Sequence, residues 1–301
     1  MTNKLAPILL FVYNRPWHAE QTLTALSKND LANESELFIY ADGAKEDCSA
    51  EDLDKIKKVR DLIKSKQWCA KVHIIESEVN LGIETSEINA ITEKLNEYGR
   101  VIVLEDDHVT APGFLSFINR GLDLYENISN VYAVNGFVFN IPYPKQKAVL
   151  MPMTSAWGWG TWKNKWAAFD PEIKQKDFIL NNEFLSRRFN LGDFDHTSLL
   201  NHSDNPWDIR WQYSVFIRHG LCLFPTQSLV RNIGLDGSGT HYTKKSELED
   251  HPLGSVLKDF GIEDKIDLEY YSLFLNHFKK EELSLVKRIK EKINKSKRKT
   301  E

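Results

Sequence analysis

The stretch 98–114, YGRVIVLEDDHVTAPGF, contains a short apolar run followed at once by three acids. The run, 101–104, has the length and composition of a strand that is buried on both faces, as in a parallel sheet. The acids Glu105, Asp106 and Asp107 then lie at the carboxyl edge of the sheet, where open α/β proteins bind ligands. Because adjacent carboxylates repel one another, we expect a counter-charge, and a divalent cation with oxygen ligands is the simplest candidate. A solvated acidic turn is the alternative interpretation.

The segments before this stretch alternate between strand and helix patterns. Apolar runs predict strands, and apolar residues spaced three or four apart predict helices. The order is βαβαβαβ, which predicts a parallel, doubly wound sheet with right-handed crossovers. The predicted strands are 7–13, 36–41, 71–76 and the run at 101–104, and the predicted helices are 17–28, 50–66 and 84–97.

Each of these strands ends in polar residues. Because the carboxyl ends of parallel strands lie on one edge of the sheet, these residues should converge although they are far apart in the sequence. Any one of them alone is more often a turn residue, but together they favour a binding edge. The candidates are Asn14, Arg15, Asp42, Asn80, Gly82, Glu105, Asp106 and Asp107. No glycine-rich phosphate-binding motif follows the first strand, which disfavours a dinucleotide-binding domain and a P-loop ATPase.

The patterns after the acids are less regular. A buried helical face predicts a helix at 112–126, and the next apolar run predicts a strand at 131–135. Further on, we expect irregular structure at 136–153, a polar helical region at 181–203 and one or two short strands within 221–231.

Four tryptophans and two glycines occur in the stretch 155–166, SAWGWGTWKNKW. Tryptophan buries a large area, so a cluster in the core is one interpretation. The other is a wall on which a sugar ring or a base stacks, with glycine letting the backbone approach the ligand. The candidate ligand-binding residues of this stretch are Trp157, Gly158 and Trp159.

A second acid of interest follows Pro206 and Trp207, which mark the start of a helix and place Asp208 in its first turn. The helix dipole favours the ionised form there, and an ionised Asp between aromatic residues suits a general base at a sugar site. Helix capping is the alternative role. The glycine-rich segment 232–243 predicts a loop that closes over a ligand. Its His241 is a candidate contact for a metal or a phosphate, and a solvated loop histidine is the alternative.

The overall composition is that of an ordinary globular chain, with 301 residues, 42% of them hydrophobic, and a net charge of −4. This length suits one large α/β domain or two small ones. Weak net acidity argues against a nucleic-acid partner held by bulk charge. Three widely spaced cysteines indicate a reducing compartment rather than a disulfide framework. The first residues lack the apolar core of a signal peptide, so we expect a cytoplasmic protein.

The last segment, 279–301, is rich in Lys and Arg, and its apolar residues have helical spacing. A basic amphipathic helix of this kind predicts contact with an anionic membrane surface, at the inner face of the plasma membrane. A frayed, solvated terminal helix is the alternative.

Taken together, the motifs resemble the nucleotide-sugar glycosyltransferases of the GT-A fold. Within that fold the sequence is similar to the branch that contains the N-acetylglucosaminyltransferase which initiates complex N-glycans. It is more similar still to bacterial surface-polysaccharide transferases that share the GWG-T-W segment. The motifs that carry the resemblance, within residues 6–243, are FVYNRP (11–16), YADG (40–43), NLG (80–82), VIVLEDD (101–107) and APGF (111–114).

The resemblance implies an α/β, Rossmann-like GT-A fold in which helices flank a mostly parallel central sheet, with an acceptor-side subregion and a C-terminal basic helix. It implies one domain over 1–264. The half that binds the nucleotide sugar would be 1–135, and the acceptor and catalytic half would be 136–264. A helical basic tail would follow at 265–301.

The resemblance also implies roles for individual residues. Asp107 would hold a divalent ion, Mn²⁺ or Mg²⁺, on the diphosphate, and Asp106 would contact the ribose or the metal. Glu105 would lie on the side of the donor sugar, and Asp208 would be the catalytic base of an inverting transfer. Residues that would line the nucleotide and the donor are Asn14, Arg15, Asp42, Asn80, Gly82, Trp157, Gly158 and Trp159, with His241 as a further candidate metal ligand.

The predicted function is therefore an inverting, metal-dependent hexosyl- or N-acetylhexosaminyltransferase. It would move a sugar from a nucleoside-diphosphate donor, with a UDP-sugar favoured, to a glycan or lipid-linked acceptor in bacterial surface polysaccharide synthesis (O-antigen or capsule). Two alternatives stay open. A sugar-phosphate nucleotidyltransferase shares the sheet and the acidic metal site but usually needs a glycine-rich, basic segment after the first strand. A non-catalytic glycan-binding module would be built on the tryptophan cluster.

Overall fold

The computed structural model describes residues 4–237, 252–255, 257, 260–261 and 263–279. Within these residues the strands are β1 (Ile8–Val12), β2 (Glu36–Ala41), β3 (Lys71–Glu76), β4 (Arg100–Glu105), β5 (His108–Thr110), β6 (Val131–Asn135), β7 (Ala148–Met151), β8 (Trp159–Trp162), β9 (Leu221–Pro225) and β10 (Val230–Asn232). The helices are α1 (Pro16–Leu26), α2 (Ala50–Lys64), α3 (Ile83–Tyr98), α4 (Phe114–Tyr125), α5 (Lys163–Trp166), α6 (Lys176–Leu180), α7 (Glu183–Phe189), α8 (His196–Asn201), α9 (Trp207–Phe216) and α10 (Leu268–His277).

The first four strands of the large sheet form its parallel half. β1 pairs in parallel with both β2 and β4, and β2 pairs in parallel with β3. The spatial order β3-β2-β1-β4 follows from these pairings, with α1, α2 and α3 as the connections. The predicted βαβαβαβ order is confirmed. β2 and β3 have the predicted bounds, and β1 and β4 differ from them by one residue at each end.

The central strands of this half, β1 and β4, are buried on both faces. Leu10 and Leu104 pack with side chains of α1 and α4 in one core cluster. Leu9 and Val103, their neighbours in the chain, pack with Ile91 of α3 in a second cluster on the other face. Because successive side chains of a strand point to opposite faces, a strand covered on both faces needs an unbroken apolar run.

The remaining strands extend the sheet beyond β4. β8 is antiparallel to β4 and β6, β6 is parallel to β9, and β7 is antiparallel to β9 at the edge. Four of the seven strand pairings of this sheet within the described residues are parallel, so the predicted α/β class with a mostly parallel central sheet flanked by helices is confirmed. β5 and β10 form a separate antiparallel ribbon.

One expectation about this half is wrong. Residues 136–153 are not irregular throughout, because 148–151 form β7. This strand has only four residues, and its pairing partner, β9, lies more than 70 residues further along the chain. A run this short has no local signal that separates it from a buried loop. The other predictions here are confirmed, since β6 has the predicted bounds, 221–231 contains β9 and begins β10, and α7 and α8 lie within 181–203.

α10 begins within the segment expected to be a basic tail, 265–301, but it packs into the core. Tyr270 and Phe274 are fully buried in the same cluster as Trp159. The side chain of Asp267 caps the helix by accepting a hydrogen bond from the backbone N–H of Tyr270 at 2.9 Å. The basic part of the tail, 280–301, lies outside the described residues. None of the helices that the structure describes combines the length and apolarity needed to cross a membrane.

Candidate functional site

The acids after β4 are buried at the carboxyl edge of the parallel strands. β4 ends at Glu105, which lies beside Phe11 of β1, and the chain turns through Asp106 and Asp107 into β5. Asp106 is 4% exposed and Asp107 is 6% exposed. A solvated acidic turn is therefore not what these residues form, and their charges need partners inside the protein.

Arg15 supplies the counter-charge. It follows β1, so the sheet brings it to the same edge, and its Nη2 donates to a carboxylate oxygen of Asp106 and to Oδ2 of Asp107 at 2.7 Å. Burial lowers the pKa of Arg15, but the two carboxylates raise it by more, so the guanidinium stays charged. Burial raises the pKa of Asp106 to about 6 in spite of the opposing effect of Arg15.

Two neighbouring segments hold the backbone of the acids. Thr22 of α1 donates its hydroxyl to the carbonyl of Asp106 at 2.8 Å. The backbone N–H of Ile233 donates to the carbonyl of Asp107 at 2.9 Å. A 3₁₀ turn, Gly234–Asp236, then passes so close that a Cβ on Gly234 would lie 2.1 Å from Oδ2 of Asp107. Only glycine allows this approach, so the acid pair is enclosed by α1 and the segment after β10.

His108 completes this edge and was not among the predicted site residues. It is fully buried, its Nδ1 accepts the backbone N–H of Glu105 at 3.0 Å, and its Nε2 lies 3.4 Å from Oδ1 of Asp107. Burial lowers the pKa of His108 to about 4, so the ring is neutral near pH 7. The accepting Nδ1 implies the tautomer with the proton on Nε2.

The carboxylate oxygens of Asp106 and Asp107 are of the chemical type that binds a hard divalent cation. Among the residues that the structure describes, no group of three or more His, Cys, Asp or Glu side chains is arranged to hold a metal ion. Oδ1 of Asp107 is nevertheless buried without a hydrogen-bond partner in that part of the chain. Carboxylate oxygens are the ligands that Mg²⁺ and Mn²⁺ prefer, and phosphate oxygens and water commonly fill the remaining positions. Asp107 and Asp106 would hold such an ion once Arg15 turned away.

Asp42, Asn80 and Gly82 come together at the ends of β2 and β3. Oδ2 of Asp42 accepts from the side-chain amide of Asn80 at 3.0 Å and from the backbone N–H of Gly82 at 2.9 Å. Its Oδ1 accepts from the backbone N–H groups of Gly43 and Leu81. Both oxygens of Asp42 thus hold the loop that leads into α3. Asn14 donates to Asp52 of α2 at 3.3 Å.

The tryptophan stretch is mostly core. Trp159 is fully buried in the middle of the sheet, and its ring lies between 5.7 and 6.1 Å from those of Trp166, Trp207 and Trp211. Gly158 is buried too, with a positive φ of 68°, and a Cβ there would meet Val230 at 2.6 Å. Of the three predicted ligand contacts here, Trp157 alone is partly exposed, and its ring edge packs on Phe137.

The same stretch positions Asp208. The ring of Trp207, the first residue of α9, stacks on Trp159 at 5.7 Å with 30° between the planes. This contact fixes the start of α9 against β8, and Asp208 is the next residue. The prediction that Asp208 lies in the first turn of a helix is confirmed. Pro206 is the capping residue, and Oδ1 of Asp208 accepts the N–H of Ile209 at 2.8 Å.

Glu87 of α3 is a further buried residue that was not among the predicted site residues. It is 1% exposed. Burial raises its pKa to about 8, and the charges of Asp208 and Asp107 add to that rise. Burial and the charge of Glu87 likewise raise the pKa of Glu105 well above its ordinary value. The signal was available in the sequence, because Glu87 falls on the stripe of α3 that also carries the buried Ala90, Ile91 and Leu95.

Two cavities lie elsewhere on the molecule. One of about 450 Å³ lies between α2 and the end of β3, and one of about 430 Å³ lies among α6, α7 and α8. Neither is lined by the acids of β4, by Glu87 or by Asp208. We place the candidate site at the acidic edge because buried, oriented charge is concentrated there. His241 and the part of the predicted closing loop from 238 onwards lie outside the described residues.

No family model and no curated protein matches the chain. Among solved structures, one similar chain is named as a nucleotide-diphospho-sugar transferase of Desulfovibrio desulfuricans G20; it is 12% identical, and the match covers 92% of this chain and 99% of that one with a TM-score of 0.40. The mannosyltransferase PcManGT of Pyrobaculum calidifontis, solved with GDP-Man and Mn²⁺, is 11% identical over 67% of this chain and 52% of that one, with a TM-score of 0.36.

TarS of S. aureus is 13% identical, and the match covers 74% of this chain and 35% of that one with a TM-score of 0.37. The chain therefore spans about half of the PcManGT chain and about a third of the TarS chain. At TM-scores of 0.40 or less, these likenesses carry no functional argument, and the assignment of function rests on this chain's own residues.

Proposed function

We propose that the chain is an inverting, metal-dependent glycosyltransferase whose donor is a nucleoside-diphosphate sugar, with a UDP-sugar favoured. One observation carries the proposal. The ion pair of Glu84 with Arg210 joins the starts of α3 and α9, and the charges of both Asp107 and Asp208 help to raise the pKa of the buried Glu87, one turn further along α3. This arrangement supports a single site in which the acid pair after β4 would hold the counter-ion of a diphosphate and Asp208 would act as the general base.

On the donor side, Asp107 and Asp106 would hold the divalent ion. A cation bound there would neutralise the charge that develops on the leaving diphosphate. Arg15 is the cation bonded to both acids, and its side chain is 21% exposed. Once the metal takes its place on the acids, the guanidinium would bind phosphate oxygens, for which its planar fork is well suited.

On the acceptor side, Asp208 would remove the proton from the attacking hydroxyl group. The acceptor oxygen forms a bond to the anomeric carbon as the bond from that carbon to the diphosphate oxygen breaks, and the diphosphate leaves with the electron pair. Attack on the face opposite the leaving group inverts the anomeric centre. The stacking of Trp207 on Trp159 would keep the base in place during this step.

The acceptor and the setting come from the sequence resemblance. We propose a glycan or lipid-linked acceptor in bacterial surface polysaccharide synthesis, a transferred hexose or N-acetylhexosamine, and a cytoplasmic protein whose basic tail contacts the anionic membrane. The donor-lining roles of Asn14, Asp42, Asn80, Gly82 and Trp157 belong to the same proposal. For Asp42 that role is indirect, because both its oxygens hold the loop before α3.

The test of donor binding is a thermal-shift panel of UDP, GDP and their sugar conjugates with Mn²⁺, with Mg²⁺ and with chelator. A ligand at a hundred times its Kd stabilises the folded state by about 2.7 kcal/mol. We expect one nucleoside diphosphate to stabilise the protein only when metal is present, and Asp107→Ala to abolish this effect. Asp61→Ala, at an exposed acid of α2, is the control and should behave as wild type.

The test of the base is Asp208→Asn. We expect it to bind the donor as wild type does and to lose transfer by about 10²- to 10⁴-fold. Normal transfer by this variant would show that Asp208 is not the base. Pyrophosphate release from a nucleoside triphosphate and a sugar phosphate would instead support the nucleotidyltransferase, and glycan binding that survives Asp107→Ala without donor turnover would support the binding module.

A further inference from the structure

Glu87 has a buried carboxyl group that the proposed mechanism does not use. It is 1% exposed, and neither of its oxygens has a hydrogen-bond partner in the part of the chain that the structure describes. The indole of Trp207 lies near enough to lower its pKa, but not in hydrogen-bond geometry. Buried polar groups in folded proteins are almost always hydrogen-bonded, so two unsatisfied oxygens on one side chain call for an explanation.

The surroundings of Glu87 are the candidate site itself. The charges of Asp208 in α9 and of Asp107 after β4 help to raise the pKa of Glu87. The charge of Glu87 in turn helps to raise the pKa of Glu105. One turn earlier on α3, Glu84 forms an ion pair with Arg210 of α9. This pair ties the two helices together and fixes where Glu87 lies relative to Asp208.

Glu87 is a candidate for contact with the sugar of the donor rather than with its nucleotide. Arg15, Asp106 and Asp107 form the side of the site that suits a diphosphate, and Asp208 marks where the acceptor hydroxyl would be deprotonated. The sugar that is transferred must lie between the leaving diphosphate and the base. Glu87 lies one turn after Glu84, whose ion pair joins α3 to α9, and the charges of both Asp107 and Asp208 reach it, so it is the candidate for contact with the sugar part of the donor.

We propose that Glu87 binds the transferred sugar, forming hydrogen bonds through its two carboxyl oxygens to two neighbouring hydroxyl groups of a hexose. Glu87 is then a specificity residue for the sugar rather than for the nucleotide. This inference rests on the proposed glycosyltransferase function. Burial, chiefly, raises the pKa of this carboxyl to about 8. Near neutral pH it therefore holds its proton, and it can donate one hydrogen bond and accept others.

The experiment compares wild type with Glu87→Leu, which removes both oxygens at similar volume, and Glu87→Gln, which keeps two polar atoms. Affinities for UDP, UDP-glucose, GDP and GDP-mannose are measured by calorimetry with Mn²⁺, together with the Tm of each variant. Glu93→Leu, at an exposed position of the same helix, is the control for an added leucine.

We expect Glu87→Leu to bind the nucleoside diphosphate as wild type does and to bind the nucleotide sugar about tenfold or more weakly. Glu87→Gln should recover part of that loss. Because the carboxyl group has no partner to lose in the described structure, the Tm of Glu87→Leu should be unchanged or higher. A donor analogue that lacks one contacted hydroxyl should bind wild type more weakly but should bind Glu87→Leu as tightly as the parent donor does.

Three results would overturn the inference in distinguishable ways. If wild type binds a nucleoside diphosphate and its sugar conjugate, and Glu87→Leu binds both equally well, the glycosyltransferase proposal stands and the role of Glu87 does not. If wild type binds no nucleoside diphosphate with or without metal, the proposed function fails and this inference fails with it. A lowered Tm with parallel losses for both ligands would make Glu87 a structural residue.

Discussion

Arg15 shows how a single residue can occupy the position that a bound ion would take. Two adjacent carboxylates buried at the end of β4 would repel each other strongly without a counter-charge. The guanidinium meets both of them. The sequence predicts that a cation is needed beside these acids. It also predicts that Arg15 lies with them at the carboxyl edge of the sheet. It does not predict that the two meet directly, because that contact depends on β1 lying beside β4 in the sheet.

A pH titration tests the buried state of Glu87. Its folded-state pKa of about 8 lies above its ordinary value of 4.5, so protonated Glu87 favours the folded state more than ionised Glu87 does, and this effect is fully present below the ordinary value and is lost as pH rises through 8. Urea unfolding should therefore show wild type losing about 1.4 kcal/mol relative to Glu87→Gln between pH 7 and pH 9. Parallel pH dependences of the two proteins would contradict the burial of an unpaired carboxyl group.

Among the elements, the 3₁₀ turn after β10 has a role that its sequence hides. Gly234 lets this turn approach Asp107, so Gly234→Ala should push the turn away from the acid and from Arg15. We expect a loss of about 1–3 kcal/mol in the free energy of unfolding and weaker binding of nucleoside diphosphate. Gly261→Ala is the matched control, because a Cβ there would meet nothing within 4 Å. Equal effects of the two substitutions would rule out the steric argument.

α10 offers a second test at this scale. Phe274 is fully buried in the core beneath the sheet, whereas its neighbour Leu273 is 37% exposed. Phe274→Ala should destabilise the protein by about 3–5 kcal/mol, and Leu273→Ala by less than half of that. The measurement is the urea midpoint of each variant. Similar small losses would mean that α10 is only loosely attached to the core.

At the scale of the whole molecule, the three cysteines report on packing. Cys69 and Cys222 are buried, and burial raises the pKa of both thiols to about 12, while Cys48 is partly exposed. A thiol-specific chromogenic reagent should therefore label one thiol in the native protein and three in denaturant. Cys48→Ser should remove the native signal. Rapid labelling of a second thiol without denaturant would contradict the burial of Cys69 and Cys222 in the core.

The sequence by itself determined how strands and helices alternate along the parallel half of the sheet. It also determined the burial of the run at 101–104 and the place of Asp208 in the first turn of a helix. These are local properties, because the periodicity of apolar residues and the residues that start helices act within a few positions along the chain. The acids at 105–107 could be assigned to a sheet edge for the same reason.

Only the tertiary structure decided which of these residues face one another. It paired Glu84 of α3 with Arg210 of α9, closed Gly234 over Asp107, buried Trp159 in the core rather than on a ligand, and paired β7 with β9. Each of these contacts joins segments that are far apart in the chain, and its formation depends on how whole elements pack. A single sequence shows that a side chain is buried but does not show which partner it meets.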